Sequence, residues 1–209
     1  MAERTGESMI RLFCGKVHIS IFALILIGFM AFSSDAPFLY IALGSALCHE
    51  LGHLFSMRLF GARTVKISIY PFGADITANT SQLGYGAEAA VAAAGPLISA
   101  VLALILALLC SFFPHIYIVA ASASNFLFFA VNIFPVKGLD GGRILLSLLL
   151  MKLDFSKAYS IFHCISTAAF GALCIFALTL LWYTGYNLSL VLICVYLFIS
   201  EYSKQKILG

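Results

Sequence analysis

FLYIALGSALCHELGHLFSMRLF, residues Phe38–Phe60, is an apolar run long enough to cross a bilayer, and it carries His49, Glu50 and His53 in its second half. A spanning helix needs about 20 predominantly apolar residues. Two histidines and a glutamate are costly in such a helix unless they serve a site. Residues i and i+4 of a helix share a face, so both imidazoles can grip one metal ion. Glu50 lies one position on from the first of them, within reach of a water that the metal activates. The blander reading is a polar knot whose hydrogen bonds hold neighbouring helices together.

His-Glu-x-x-His is the zinc metalloprotease signature. Its surroundings are those of a membrane protein. Hydrophobic residues make up 62% of the 209 residues and charged residues 10%. No soluble domain of this size has that composition, so the chain reads as an all-α polytopic membrane protein. Six apolar spans are expected, at about Val17–Phe32, Phe38–Phe60, Ala87–Phe113, Ile116–Ile133, Ala158–Tyr183 and Leu188–Tyr202. The first and last are short for a bilayer and lean on local thinning or snorkelling ends. Pro37 directly after Ala36 makes a poor cleavage site, so the first span reads as a retained helix rather than a signal peptide.

Charge sets the expected orientation. All twelve Lys and Arg fall before the first span, at or after the end of the second, between the fourth and fifth, or at the end of the chain. The opposite loops, residues 33–36, 114–115 and 184–187, carry none. The positive-inside rule then puts both termini in the cytoplasm. The net charge of +3 is a topology signal and argues for no nucleic-acid partner. Six scattered Cys form no Cys-x-x-Cys pair and read as small hydrophobes, without a disulfide framework or a metal-ligand role. The whole of 1–209 reads as one domain, with a core over about 39–146 and C-terminal helices over about 158–202.

Asn132-Ile-Phe-Pro135-Val-Lys-Gly138-Leu-Asp140-Gly141-Gly142-Arg143 follows the fourth span. Catalytic zinc keeps three protein ligands and an open fourth position, so Asp140 is the candidate third ligand. Gly141 and Gly142 are expected to turn the backbone sharply beside the metal. Asp before Gly-Gly is also ordinary turn chemistry, capping a short helix. Depth favours the ligand. The second span runs inward, which sets His53 about 10 Å from its cytoplasmic end at about 1.5 Å per residue. Asp140 follows the fourth span on that same side.

His-Glu-x-x-His in a membrane helix, with a distant Asn-x-x-Pro-x-x-x-Leu-Asp-Gly-Gly, resembles the site-2 protease family of intramembrane zinc metalloproteases. Six spans without a PDZ insertion look like the branch that processes a sporulation sigma-factor precursor. The resemblance covers roughly Leu39–Leu146. It implies one zinc per chain on His49, His53 and Asp140, with Glu50 as catalytic base. It implies that Asn132 holds the substrate backbone or the oxyanion. It also implies a bacterial cell membrane and a membrane-associated protein substrate, cut near the cytoplasmic face. Three departures stand out. Gly138 replaces a frequent Pro, Ser99 replaces a common Asn, and no nucleotide-sensing CBS domain is recognisable in the chain.

Thr64–Tyr70 alternates, with Val65, Ile67 and Ile69 on one face, which is the period of a strand. Pro71–Asp75 makes a turn and Ile76–Asn79 can return. Such a membrane-associated β-hairpin could bind extended substrate along an edge through Val65, Ile67 and Ile69. The resemblance implies a hairpin there too. Arg58, Arg63 and Lys66 read as anchors to the lipid bilayer. His18 and His115 are expected at membrane interfaces, and His163 and Asn125 in interhelical hydrogen bonds. The alternative function is a non-catalytic zinc-binding membrane scaffold or transporter subunit, although a transporter usually repeats its ligands across two halves. Any inhibitory or activating membrane partner is left open.

Overall fold

The computed structural model describes the backbone of residues 9–12, 17–20, 36–70, 73–79, 83–185 and 190–198, with side chains over 37–62, 83–185 and 190–198. Six helices lie among these residues: α1 (Ala36–Leu59), α2 (Tyr85–Phe112), α3 (Ile116–Asn132), α4 (Asp140–Leu150), α5 (Phe155–Thr184) and α6 (190–198). Among the described residues three helices are long and apolar enough to cross a membrane, Pro37–Leu59, Tyr85–Phe112 and Phe155–Thr184. The 17-residue α3 is apolar but shorter. At about 1.5 Å per residue it reaches roughly 25 Å, a little under the thickness of a hydrocarbon core.

Helix α1 is built inside out relative to a soluble helix. Ser45, His49, His53 and Ser56 are buried, while Leu47, Leu51, Phe55 and Leu59 are exposed on the other side. Leu51 is 50% exposed and Phe55 63%, yet His49 is 3% exposed and His53 4%. Lipid accepts apolar side chains as readily as a protein interior does, so polar groups drive the choice of the inward face. At the far end of α5, Trp182 and Tyr183 are the most exposed aromatics among the described residues, suited to a headgroup belt. Helix α5 stops there because Gly185 takes a left-handed φ of 72° at its C-cap.

Helix α2 is the hub and packs on α1, α3 and α4. Its buried face is mostly small, with Ala89, Ala92, Gly95, Ser99 and Ala103 beside Val91 and Pro96. Small side chains let helix backbones approach closely, which is the main source of helix association in lipid. Below this hub the loop between α3 and α4 is clamped by the C-terminal helices. Val136 and Leu139 share an apolar core with Leu173 and Ala177 of α5 and with Cys194 and Leu197 of α6. The Lys137 N–H donates to Ser166 Oγ at 2.7 Å. The C-terminal helices thereby fix the segment that leads into Asp140.

Beside the helices runs a four-stranded sheet in the order β1 (Met9–Leu12), β2 (Val17–Ser20), β3 (Arg63–Tyr70), β4 (Gly73–Asn79). Strands β1 and β2 are antiparallel, β2 and β3 parallel, β3 and β4 antiparallel. The first expected span is corrected at its start. Val17-His18-Ile19-Ser20 pairs with both β1 and β3 instead of opening a helix, and residues 21–35 lie outside the described set. Those four residues alternate apolar and polar, and that period of two outweighs their contribution to a long apolar count. The last expected span is described as helix over 190–198, with 199–209 outside the described residues.

A second correction concerns strand edges. Ile67–Ile69 of β3 pair with β4 on one side and with β2 on the other. The substrate edge expected at Ile67 and Ile69 is therefore already occupied by protein. Val65 sits at a register break between Thr64 and Lys66. Among the described strands the outer ones are β1 and β4.

Candidate metal centre

The His-Glu-x-x-His turn of α1 faces α2 and the start of α4. His49 Nε2 lies 3.0 Å from Asp140 Oδ2, His53 Nε2 lies 3.1 Å from the same oxygen, and the two Nε2 atoms are 3.3 Å apart. All three side chains are buried. They are the group of His, Cys, Asp or Glu side chains that converges on one point among the described residues. Zinc ligands at about 2.0–2.1 Å in tetrahedral array stand about 3.3 Å from one another, so the spacing fits one zinc ion. The donor set of two imidazoles and one carboxylate fits as well.

The far sides of both rings are also fixed. His53 Nδ1 donates to the Val91 carbonyl at 2.8 Å, and His49 Nδ1 lies 3.0 Å from Ser99 Oγ. A carbonyl can only accept, so the His53 proton sits on Nδ1 and the Nε2 lone pair points to the metal position. Gly95 stands between these two partners on α2. A Cβ there would land on His53 Nε2 and close to His49 Nε2, so any other residue would fill the metal cradle. Phe128 of α3 closes the side, its ring 5.9 Å from that of His49.

Asp140 is the first residue of α4, and the N-cap residue Leu139 makes no side-chain cap. The carboxylate thus sits at a positive helix end, which favours its ionised form. Its second oxygen, Oδ1, lies 3.9 Å from Arg143 Nη1, one turn on. The expectation for Gly141 and Gly142 needs correcting, since both are helical rather than in a sharp turn. Close approach explains them: a Cβ on Gly141 would strike the Ile133 and Phe134 carbonyls, and one on Gly142 the Val136 carbonyl. The residue that needs glycine for its conformation is Gly138, with φ 101°. Proline, locked near −65°, cannot adopt that angle.

Other expected residues fare unevenly. Glu50 is half-buried beside the first imidazole. Asn132 ends α3, and its Nδ2 donates to Phe128 O in its own helix at 3.0 Å. Val65, Ile67 and Ile69 are described as backbone only. Asn125 does join two helices, donating to Ser45 Oγ at 2.9 Å, one turn before His49. Among the described residues, His163 meets Thr167 on its own helix at 3.5 Å. His115 caps α3 by accepting from the Tyr117 N–H. No disulfide links the described cysteines.

Sequence reasoning noted Ser99 only as a departure from the resembled family and missed Val91 and Gly95. Val91, Gly95 and Ser99 recur every four residues along one face of α2, and that spacing was the available signal. The Val91 contact is made by the backbone carbonyl, which no side-chain motif encodes.

Residues 37–122 match Peptidase family M50. That stretch holds His49, Glu50 and His53 and ends before Asp140. The chain is 26% identical over 203 residues to a zinc metalloprotease of Methanocaldococcus jannaschii, a match covering 91% of this chain and 57% of the relative. The chain thus spans a little over half the length of that curated relative. It is also similar in fold to the solved structure of a site-2 protease from Methanocaldococcus jannaschii, with 23% sequence identity and a TM-score of 0.66. That match covers 92% of this chain and 93% of the other.

Proposed function

We propose that this chain belongs to Peptidase family M50 and is an intramembrane zinc metalloprotease that cuts a membrane-associated protein near the cytoplasmic face. The observation that carries the reading is the convergence of His49, His53 and Asp140 on one buried point with Glu50 beside it. A zinc ion held there supplies Lewis acidity and lowers the pKa of water. Glu50 accepts a proton from the attacking water as the water oxygen adds to the peptide carbonyl carbon. The C–N bond then breaks, and Glu50 returns the proton to the leaving nitrogen. His49, His53 and Asp140 hold the metal, and Asn132 at the end of α3 is proposed to hold the substrate backbone or the oxyanion. The proposal treats 1–209 as one catalytic unit in which α5 and α6 hold the Asp140 loop. The test is purified protein assayed for bound zinc and for cleavage of membrane-associated candidates. Protein without zinc, or zinc-loaded protein inert on every candidate, would count against it.

Substrate pairing is proposed along β4, because β3 is flanked on both sides. Extended substrate adding to Gly73–Asn79 would use the outward main-chain groups of that strand. Neighbouring residues in a strand point their N–H groups to opposite sides. Single prolines at Asp75, Ile76 and Thr77 should therefore affect cleavage in alternation, with zinc content unchanged. Equal cleavage by all three variants would remove β4 as the pairing edge.

The bilayer orientation is proposed with both termini cytoplasmic, in a bacterial cell membrane. In a Cys-free background, Lys204→Cys should be labelled only from the cytoplasm and Asp35→Cys only from outside. The reverse pattern would overturn the orientation drawn from twelve one-sided charges.

A further inference from the structure

We propose that Ser99 is a positioning residue for zinc: its fully buried hydroxyl, 3.0 Å from His49 Nδ1, fixes the ring angle with which His49 Nε2 faces the metal position. The inference rests on the zinc reading of the site. An imidazole binds zinc through the lone pair of one nitrogen, so its proton must sit on the other. For His53 the Val91 carbonyl enforces that choice. A hydroxyl can both donate and accept, so Ser99 enforces nothing by chemistry alone. Geometry supplies what the hydroxyl lacks. His49 Nε2 sits 3.0 Å from Asp140 Oδ2 and 3.3 Å from His53 Nε2, so its outward side is committed to the cluster. With Nε2 so placed, Nδ1–H donates and Ser99 Oγ accepts.

Helix α2 therefore carries an outer shell of three rungs. Val91 holds His53, Gly95 leaves room for both ring nitrogens, and Ser99 holds His49. The partners of the two imidazoles lie eight residues apart on α2, twice the four between His49 and His53 on α1, and Gly95 lies midway between them. Ser99 is 0% exposed, so its hydroxyl is closed off from the surface of the protein. Serine is short, so the hydroxyl reaches the ring only because the small-residue face of α2 lets α1 approach closely.

The experiment measures zinc affinity by chelator competition on full-length wild type, Ser99→Ala and Ser99→Cys. Cobalt-loaded absorption spectra and thermal unfolding accompany it. Wild-type protein that binds no zinc would defeat the underlying reading rather than the role of Ser99. With wild type binding, both variants are expected to bind zinc about 10–100-fold more weakly, the usual loss for an outer-shell partner, with altered cobalt spectra. Cysteine keeps the shape of serine, is only somewhat larger, and is a weak acceptor. A purely packing role would spare Ser99→Cys, and affinity restored to wild type in that variant overturns the proposal. So does a wild-type affinity in Ser99→Ala. Ser99→Ala removes only a buried hydroxyl, and Ser99→Cys replaces it with a thiol. If one unfolds, the other carries the comparison.

Discussion

A Glu50→Gln variant is expected to keep one zinc per chain and to lose about 10²–10⁴-fold in cleavage rate, the usual share of a general base. Gln has the shape of Glu and cannot take a proton. Glu50 does not join the converging donor set, so metal content should not follow activity. The two readouts separate chemistry from metal binding. A fall in zinc parallel to the fall in cleavage would make Glu50 a structural partner of the site. Near-wild-type cleavage by a folded, zinc-loaded variant would end its role as base. The non-catalytic scaffold reading makes the opposite forecast, since a scaffold loses nothing at Glu50.

Asp140→Ala carries the second large effect. It leaves two imidazoles where a catalytic zinc site uses three protein ligands. The zinc affinity should fall by more than the roughly 10–100-fold typical of an outer partner, and cleavage should fall with it. The fold should survive, because Val136 and Leu139 still sit in the core with α5 and α6. Asp140→Asn tests charge separately, since it keeps the shape and loses the anion that balances the metal. Full zinc occupancy in Asp140→Ala would return Asp140 to being simply the first residue of α4. Arg143 gives a check on direction. It approaches Oδ1, the oxygen turned away from the imidazoles, so its loss should weaken zinc less than the loss of Asp140 itself.

Much of this was legible in the linear chain, and for definite reasons. His49 and His53 are four residues apart, and helix geometry turns that spacing into a shared face without help from any other element. Apolar composition fixes the solvent, and the solvent dictates helices because backbone groups in lipid must be satisfied within the segment. Asp140 needed one step more: a topology that sets the ends of α1 and α3 on the same side. Charges between spans supplied it.

Tertiary structure decided the rest. Pairing of Val17–Ser20 with β3 joins residues about 50 positions apart, and no local pattern encodes a parallel partner at that distance. That pairing also moved the outer edge from β3 to β4. Gly95 and Gly141 look like flexible residues in sequence, but packing shows them to be spaces, one for imidazole nitrogens and one for backbone carbonyls. The outer shell of the metal centre depends on a carbonyl and a single hydroxyl whose roles exist only once α1 and α2 meet. The sequence by itself determined the helical core and the donor set, because spacing along one helix and the charge between spans are local quantities. Only the packed chain decided the sheet order, the glycine contacts and the partners of the two imidazoles, because each depends on how closely distant backbones approach.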